Sequence, residues 1–274
     1  MILLTTTDLE SAGANLRGKA GGLLSLSPKF AVPPFCVLQP SSRGDREVDS
    51  ATVDAIRGAI GEGPYAVRSS ANVEDSAAHS YAGMFETLLG VSLSDLKAAV
   101  AYVVDSGSAD RVQSYREVVT AGKSAGLEIE MTVIVQRMVR ADRAGVCLTQ
   151  RSRLASELLI EAVLGLGETL VSGEVDPDRY VVARNPLRMT IEHVSCQTLA
   201  RLLTPEGVVD VAVPPLDRNS PKLLETEVLE IAATACAVEA TLDIGACDIE
   251  WAYESDTLLL LQARPYSSVN YYHA

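Results

Sequence analysis

A chain of 274 residues with 47% hydrophobic content can bury one or two cores, since compact domains run to about 100–200 residues. The net charge of -13 argues against the basic stripe that bulk nucleic acid or an anionic membrane would require, so a polyanionic ligand would need local cations. No apolar run approaches the ~18 residues of a membrane span and residues 1–8 lack the basic start of a signal peptide, so a cytoplasmic protein is expected.

Residues 16–26 open with Gly18-Lys19 and become apolar at helical spacing, which predicts a glycine-rich turn entering a short helix. A strand is predicted over 32–38, with Pro33 and Pro34 at its start where a missing amide is tolerated. Residues 40–63 are polar and then weakly helical, and 65–70 form a short strand running into a polar loop that reaches about Ala82. Apolar positions near the 3.6 period predict a helix over 91–116. The strongest strand signal is the β-branched run 131–139. Further strands are expected at 145–149, 158–162, 180–182 and 193–195, a helix at 221–242, and a hairpin joining 249–253 to 258–262. The pattern is α+β in two lobes, 1–125 and 126–274. Cys36, Cys147, Cys196, Cys236 and Cys247 are odd in number and contain no CxxC pair, so they read as buried reduced thiols.

Three constellations carry chemistry. Residues 13–20 match a Walker A loop until Ala20, which lacks the hydroxyl such a loop gives to magnesium; Lys19 at a helix start is still a candidate phosphate contact. Val67-Arg68-Ser69-Ser70 followed by Tyr81-Ala82-Gly83-Met84-Phe85-Glu86-Thr87 supplies a fixed cation, hydroxyls and a small flexible segment able to fold over a triphosphate. On the C-terminal hairpin, Glu250 and Gln262 can point to one face, because side chains recur every second residue. Their hard oxygens suit magnesium, and Arg264 on the same face suits a transferring phosphoryl group. An exposed Glu and Arg pair on a plain hairpin is the alternative.

These segments, in this order, resemble the N-terminal nucleotide-binding domain of the phosphoenolpyruvate synthase, pyruvate phosphate dikinase and rifampin phosphotransferase family. The match includes Gly18-Lys19, Arg68-Ser69-Ser70, Val135-Gln136-Arg137-Met138-Val139, Gly165-Leu166-Gly167-Glu168, Pro177-Asp178-x-Tyr180, Asp248-Ile249-Glu250-Trp251 and Gln262-Ala263-Arg264-Pro265. The resemblance implies a two-lobed ATP-grasp fold with mixed β-sheets flanked by helices, working on ATP and Mg2+. It implies that Lys19, Arg68 and Arg264 are catalytic, and that Gly83 and Thr87 line the phosphate loop. It further implies that Gln136, Met138 and Val139 seat adenine, and that Glu250 and Gln262 bind the metal. Departures are the short stretch between Lys19 and Arg68, and Gln150-Arg151-Ser152 where the family carries Asn-Pro or Asp-Pro.

The chain stops ten residues after Arg264, and its histidines are His79, His193 and His273. The expectation is a stand-alone phosphotransferase that moves a phosphoryl group from Mg-ATP to a small-molecule acceptor, with His79 a candidate base. Two alternatives stay open. One is a detached subunit served by a separate phosphohistidine-domain protein; the other is an amide ligase acting through an acyl phosphate. Neither nucleic acid nor membrane is an expected partner.

Overall fold

The structure, a computed structural model, describes residues 1–12, 16, 18–41, 45–71, 87–108, 131–151 and 156–266. The chain divides into two compact units, Met1–Leu24 with Pro33–Met138, and Ser25–Val32 with Val139–Ala274. The change of lobe therefore falls after Met138, not near 125. Strand β5 (Met131–Arg137) decides this, because it hydrogen-bonds to both β2 (Phe35–Gln39) and β3 (Tyr65–Ala71) inside the first unit.

The first unit is built on an antiparallel sheet ordered β1-β2-β5-β3-β4, with β1 at Ile2–Thr5 and β4 at Thr87–Val91. Strand β2 begins after the two prolines, as their missing amides require. One sheet face, Cys36, Leu38, Tyr65, Val67, Val133 and Val135, packs with Ile56 and Ile60 of α3 (Ser50–Ile60) and with Leu96, Val100 and Val103 of α4 (Leu96–Ser108). Asp49 caps α3 by accepting from the Thr52 amide at 2.7 Å. The predicted helix over 91–116 starts later, at Leu96. Val91 is paired in β4, and Ser92 accepts from the Asp95 amide through both its carbonyl and its Oγ. Two further helices, α1 (Thr6–Ala12) and α2 (Gly18–Leu26), precede β2.

The second unit holds a six-stranded antiparallel sheet, β13-β12-β6-β7-β8-β9, and a separate hairpin, β10-β11. Its strands are β6 (Arg143–Leu148), β7 (Glu157–Leu164), β8 (Asp178–Arg184), β9 (Leu187–His193), β10 (Leu199–Thr204), β11 (Gly207–Ala212), β12 (Cys247–Glu254) and β13 (Thr257–Pro265). Alternation along these strands sorts the two faces. Leu158, Ile160, Ala162, Tyr180, Val182, Ile249, Trp251 and Leu260 form the core with Val228, Ile231, Ala232 and Ala235 of α6 (Glu225–Leu242). A one-turn helix, α5 (Glu168–Val171), follows β7. Cys36, Cys147 and Cys247 are buried as expected, whereas Cys196 is exposed and Cys236 half-buried.

Gly145, in the centre of β6, has a packing reason. A Cβ there would lie 1.9 Å from the Glu161 carbonyl oxygen and 2.7 Å from Cζ2 of Trp251. Overpacking of this kind costs about 1–3 kcal/mol. Gly145→Ala is therefore expected to lower the unfolding free energy by that amount, read as a fall in the urea midpoint at unchanged slope, and an unchanged midpoint would show that β6 and β7 can part without loss.

Candidate functional site

In the first unit, Arg68 and Ser70 lie on the sheet face opposite the helical core, since Tyr65 and Val67 point into that core. Arg68 pairs in register with Thr87 on one side and Ile134 on the other. Ser70 Oγ accepts from the Ala20 amide at 3.0 Å, which fastens the first turn of α2, and with it Lys19, to the end of β3. So Lys19, Arg68 and the Ser69-Ser70 pair are brought to one strand end, with the exposed Thr87 beside them. Gly83 and His79 lie outside the described residues, as does His273.

Gln136 and Met138 are buried. The Gln136 carboxamide donates to the Pro33 carbonyl at 3.3 Å. The amides of Arg137 and Met138 are also committed, to the carbonyls of Pro34 and Pro64. Met138 Sδ accepts from the Gly90 amide at 2.8 Å, so the side chain is anchored to β4. Val139, buried as well, opens the second unit.

In the second unit the site residues occupy the sheet face opposite α6. Glu250 and Gln262 are register partners across β12 and β13, and Asp248 and Arg264 are the next pair on that face. The bulge between Glu250 and Trp251 comes after both pairs and leaves their common orientation intact. Arg264 donates to Asp248 Oδ2 from Nε at 3.0 Å and from Nη2 at 2.7 Å, an ion pair that sequence reasoning did not foresee. Burial pushes the Asp248 carboxyl above the ordinary range, and Arg264 offsets part of that rise. The row continues across the sheet from Glu250 through Val146 to Glu161, Arg179 and His193. Glu161 and Arg179 were not singled out from sequence either. His193 contacts Asp176 at 2.8 Å, on the rim.

Two further family-like segments are tied into the fold. The Gly-Leu-Gly-Glu segment is held by Arg201, which donates to Asp210, Glu168 and Glu174. The Arg201 carbonyl accepts from the Leu166 amide and would meet a Cβ on Gly165, which has φ +83, at 2.3 Å. Asp178, of the Pro-Asp-x-Tyr segment, is fully buried and ion-paired with buried Lys222 at 3.0 Å.

With this geometry in view, the comparisons with known proteins can be stated. A family model described as "Pyruvate phosphate dikinase, AMP/ATP-binding domain" matches residues 45–272. The chain belongs to that family. A probable phosphoenolpyruvate synthase of Methanocaldococcus jannaschii is 33% identical over 213 residues, covering 74% of this chain and 17% of its own length. A phosphoenolpyruvate synthase of Neisseria meningitidis is 33% identical, covering 73% of this chain and 27% of its own length. The prodigiosin synthesizing transferase PigC of Serratia marcescens is 32% identical, with shares of 75% and 23%. The chain thus spans about a sixth to a quarter of the length of these relatives. Among solved structures, a D-alanine-D-alanine ligase from Coxiella burnetii aligns over 97% of this chain and 51% of that one, at 8% identity and a TM-score of 0.42. A likeness of that size adds nothing to the assignment. Among the described residues, no helix is long and apolar enough to cross a membrane.

Proposed function

We propose that the chain is an ATP-grasp module that binds Mg-ATP and passes its terminal phosphoryl group to a small-molecule acceptor. The observation that carries this reading is the sheet face of the second unit opposite α6, where Glu250 pairs in register with Gln262 and the Asp248–Arg264 pair lies beside them. A carboxylate and a carboxamide oxygen fit magnesium, which takes only one or two protein ligands and fills its other positions with water and substrate phosphates. Bound there, the ion would neutralise charge on the phosphates. Arg264, oriented by Asp248, adds a fixed cation on the same face. In the first unit, Lys19 and Arg68 supply the cations that a chain of net charge -13 must concentrate locally to hold a polyanion. Gly83 and Thr87 belong to the loop expected to cover the phosphates.

Adenine falls to residues 136–139. The Gln136 side chain and the Arg137 and Met138 amides are engaged within the first unit, whereas the Val139 amide donates to no group among the described residues. The Val139 N–H and the neighbouring carbonyls are therefore the adenine contacts in this reading.

The test is phosphorus NMR of ATP products from the purified chain, with hydroxyl, amine and carboxylate acceptors supplied in turn. ADP with a phosphorylated acceptor is the expected result, and failure to bind or consume ATP under every condition would remove the reading. In a second reading the acceptor is a histidine of a phosphocarrier protein. Consumption of ATP only when such a protein is added would establish it. AMP as product would point to a dikinase route, and an amide product to ligation.

A further inference from the structure

The six-stranded sheet of the second unit ends on β13 at one side and on β9 at the other, and the two edges differ. Part of the β13 edge is covered, since the Leu260 amide donates to the Ala31 carbonyl at 2.9 Å. Strand β9, Leu187-Arg188-Met189-Thr190-Ile191-Glu192-His193, hydrogen-bonds through its backbone to β8 alone among the described residues. It exposes Leu187 and Ile191, the latter at 45%, while Met189 packs on the core. An edge of this kind offers its outward amides and carbonyls to another strand.

The charges of β9 restrict which strand that can be. Arg188 lies on the sheet face opposite α6, in register with Ala183. Glu192 is on the same face, because it meets Arg151, which also pairs with Glu157 of β7. The ladder to β8 skips Glu192: Ile191 pairs with Tyr180 and His193 with Arg179. Arg188 has no hydrogen bond or ion pair among the described residues, and Glu192 spends one oxygen on Arg151. Charges and a bulge guard an edge against most strands. Here the two charges are of opposite sign and four residues apart, so a second copy of β9 can satisfy both.

We infer that β9 pairs antiparallel with β9 of a second copy of this chain, about a two-fold axis at Thr190, joining two six-stranded sheets into one. The inference goes beyond the nucleotide reading and does not depend on it. In an antiparallel pair, opposite residues both turn their N–H and C=O toward the partner strand or both turn them away. A two-fold axis must then pass through a residue and not between two. With the axis at Met189, Arg188 would oppose Thr190; with it at Ile191, Glu192 would oppose Thr190. The axis at Thr190 alone sets Arg188 against Glu192 of the second copy, and symmetry makes the contact twice. The same register sets Met189 against Ile191 on the core face, also twice, and covers the exposed isoleucine. Exposed ion pairs supply little affinity, so they select the register while backbone hydrogen bonds and apolar burial hold it. An edge contact of this size makes a weak dimer.

Sedimentation velocity of the full chain from about 1 to 200 µM tests this. The wild type should shift from monomer toward dimer across that range. Arg188→Glu and Glu192→Arg should each weaken the dimer at least about tenfold, because each sets like charges against one another at both contacts. Both side chains are exposed, so the far-UV spectra of the variants should match the wild type. The decisive sample is an equimolar mixture of the two variants. About the Thr190 axis their mixed pair opposes acid to base at both contacts, so the dimer should return in the mixture and in neither variant alone. Mixing would not repair a folding defect or the lost Arg151 contact. A wild type that stays monomeric over the whole range would overturn the proposal and leave the edge to a strand of other sequence. A dimer that neither reversal weakens, or that mixing does not restore, would overturn it too, since the contact would then lie elsewhere or in another register.

Discussion

Glu250→Ala is expected to slow ATP turnover by about 10³-fold, the equivalent of several kcal/mol at about 1.4 kcal/mol per tenfold. The half-buried side chain lies on the face of β12 away from the core that Ile249 and Trp251 build with α6, so the fold should survive. The far-UV spectrum and urea midpoint should therefore match the wild type. The diagnostic measurement is calorimetric: magnesium should strengthen ATP binding in the wild type and have no such effect in Glu250→Ala, while ATP in EDTA binds both alike. Gln262→Ala should behave similarly but more mildly, because a neutral carboxamide is the weaker of the two oxygen ligands. Wild-type turnover by Glu250→Ala would sink the assignment of the metal end to this face.

That face was only partly legible in the sequence, because a strand's period of two holds only where its ladder is unbroken. The period links Asp248 to Glu250 and Gln262 to Arg264, but the pairing of Tyr253 with Leu258 and of Trp251 with Leu260 would by itself set Glu250 opposite Leu261. The bulge shifts the register by one residue and brings Gln262 opposite Glu250 instead. The Asp248–Arg264 ion pair follows from the same register, and counting cross-strand partners outward from Gln262 would have found it. Glu161 and Arg179 were less accessible. Their place in the row depends on the order β12-β6-β7-β8, which no local pattern in the sequence dictates.

Three of the strands that escaped prediction share one cause. Strands β1, β4 and β11 each end a sheet or hairpin and bury little, so they lack the apolar alternation that marks a half-buried strand. Strand β10, Leu-Ala-Arg-Leu-Leu-Thr, has the composition of a good helix former and is held extended by its pairing with β11. The long strand β5 was plain from its β-branched run. Its place in the first unit was not, because pairing with β2 and β3 spans roughly 60 to 100 residues of sequence and leaves no local trace.

The buried pair Asp178–Lys222 gives the largest expected effect on stability, and the effect should be asymmetric. Asp178 accepts from four donors besides the Lys222 ammonium: the Ser195 amide and hydroxyl, the Tyr180 hydroxyl and the Lys222 amide. Lys222 Nζ, in turn, donates to the Ser195 carbonyl at 2.7 Å and the Arg218 carbonyl at 3.4 Å. Breaking a buried pair by removing one partner costs about 3–5 kcal/mol. Asp178→Ala should sit at or above the top of that range, because it strands a buried ammonium and leaves several buried donors without their acceptor. Lys222→Met should sit at the bottom, since the carboxylate keeps its four neutral donors. Urea denaturation of the two variants gives the comparison directly, and an Asp178→Ala midpoint equal to that of the wild type would refute it. If Asp178 is scaffold, ATP affinity measured on the folded fraction of either variant should be unchanged. The network stitches the loop before α6 to β8, the strand that also carries Arg179. The Pro-Asp-x-Tyr segment would then mark the family by what it holds together, while Glu250, Gln262 and Arg264 mark it by what they bind.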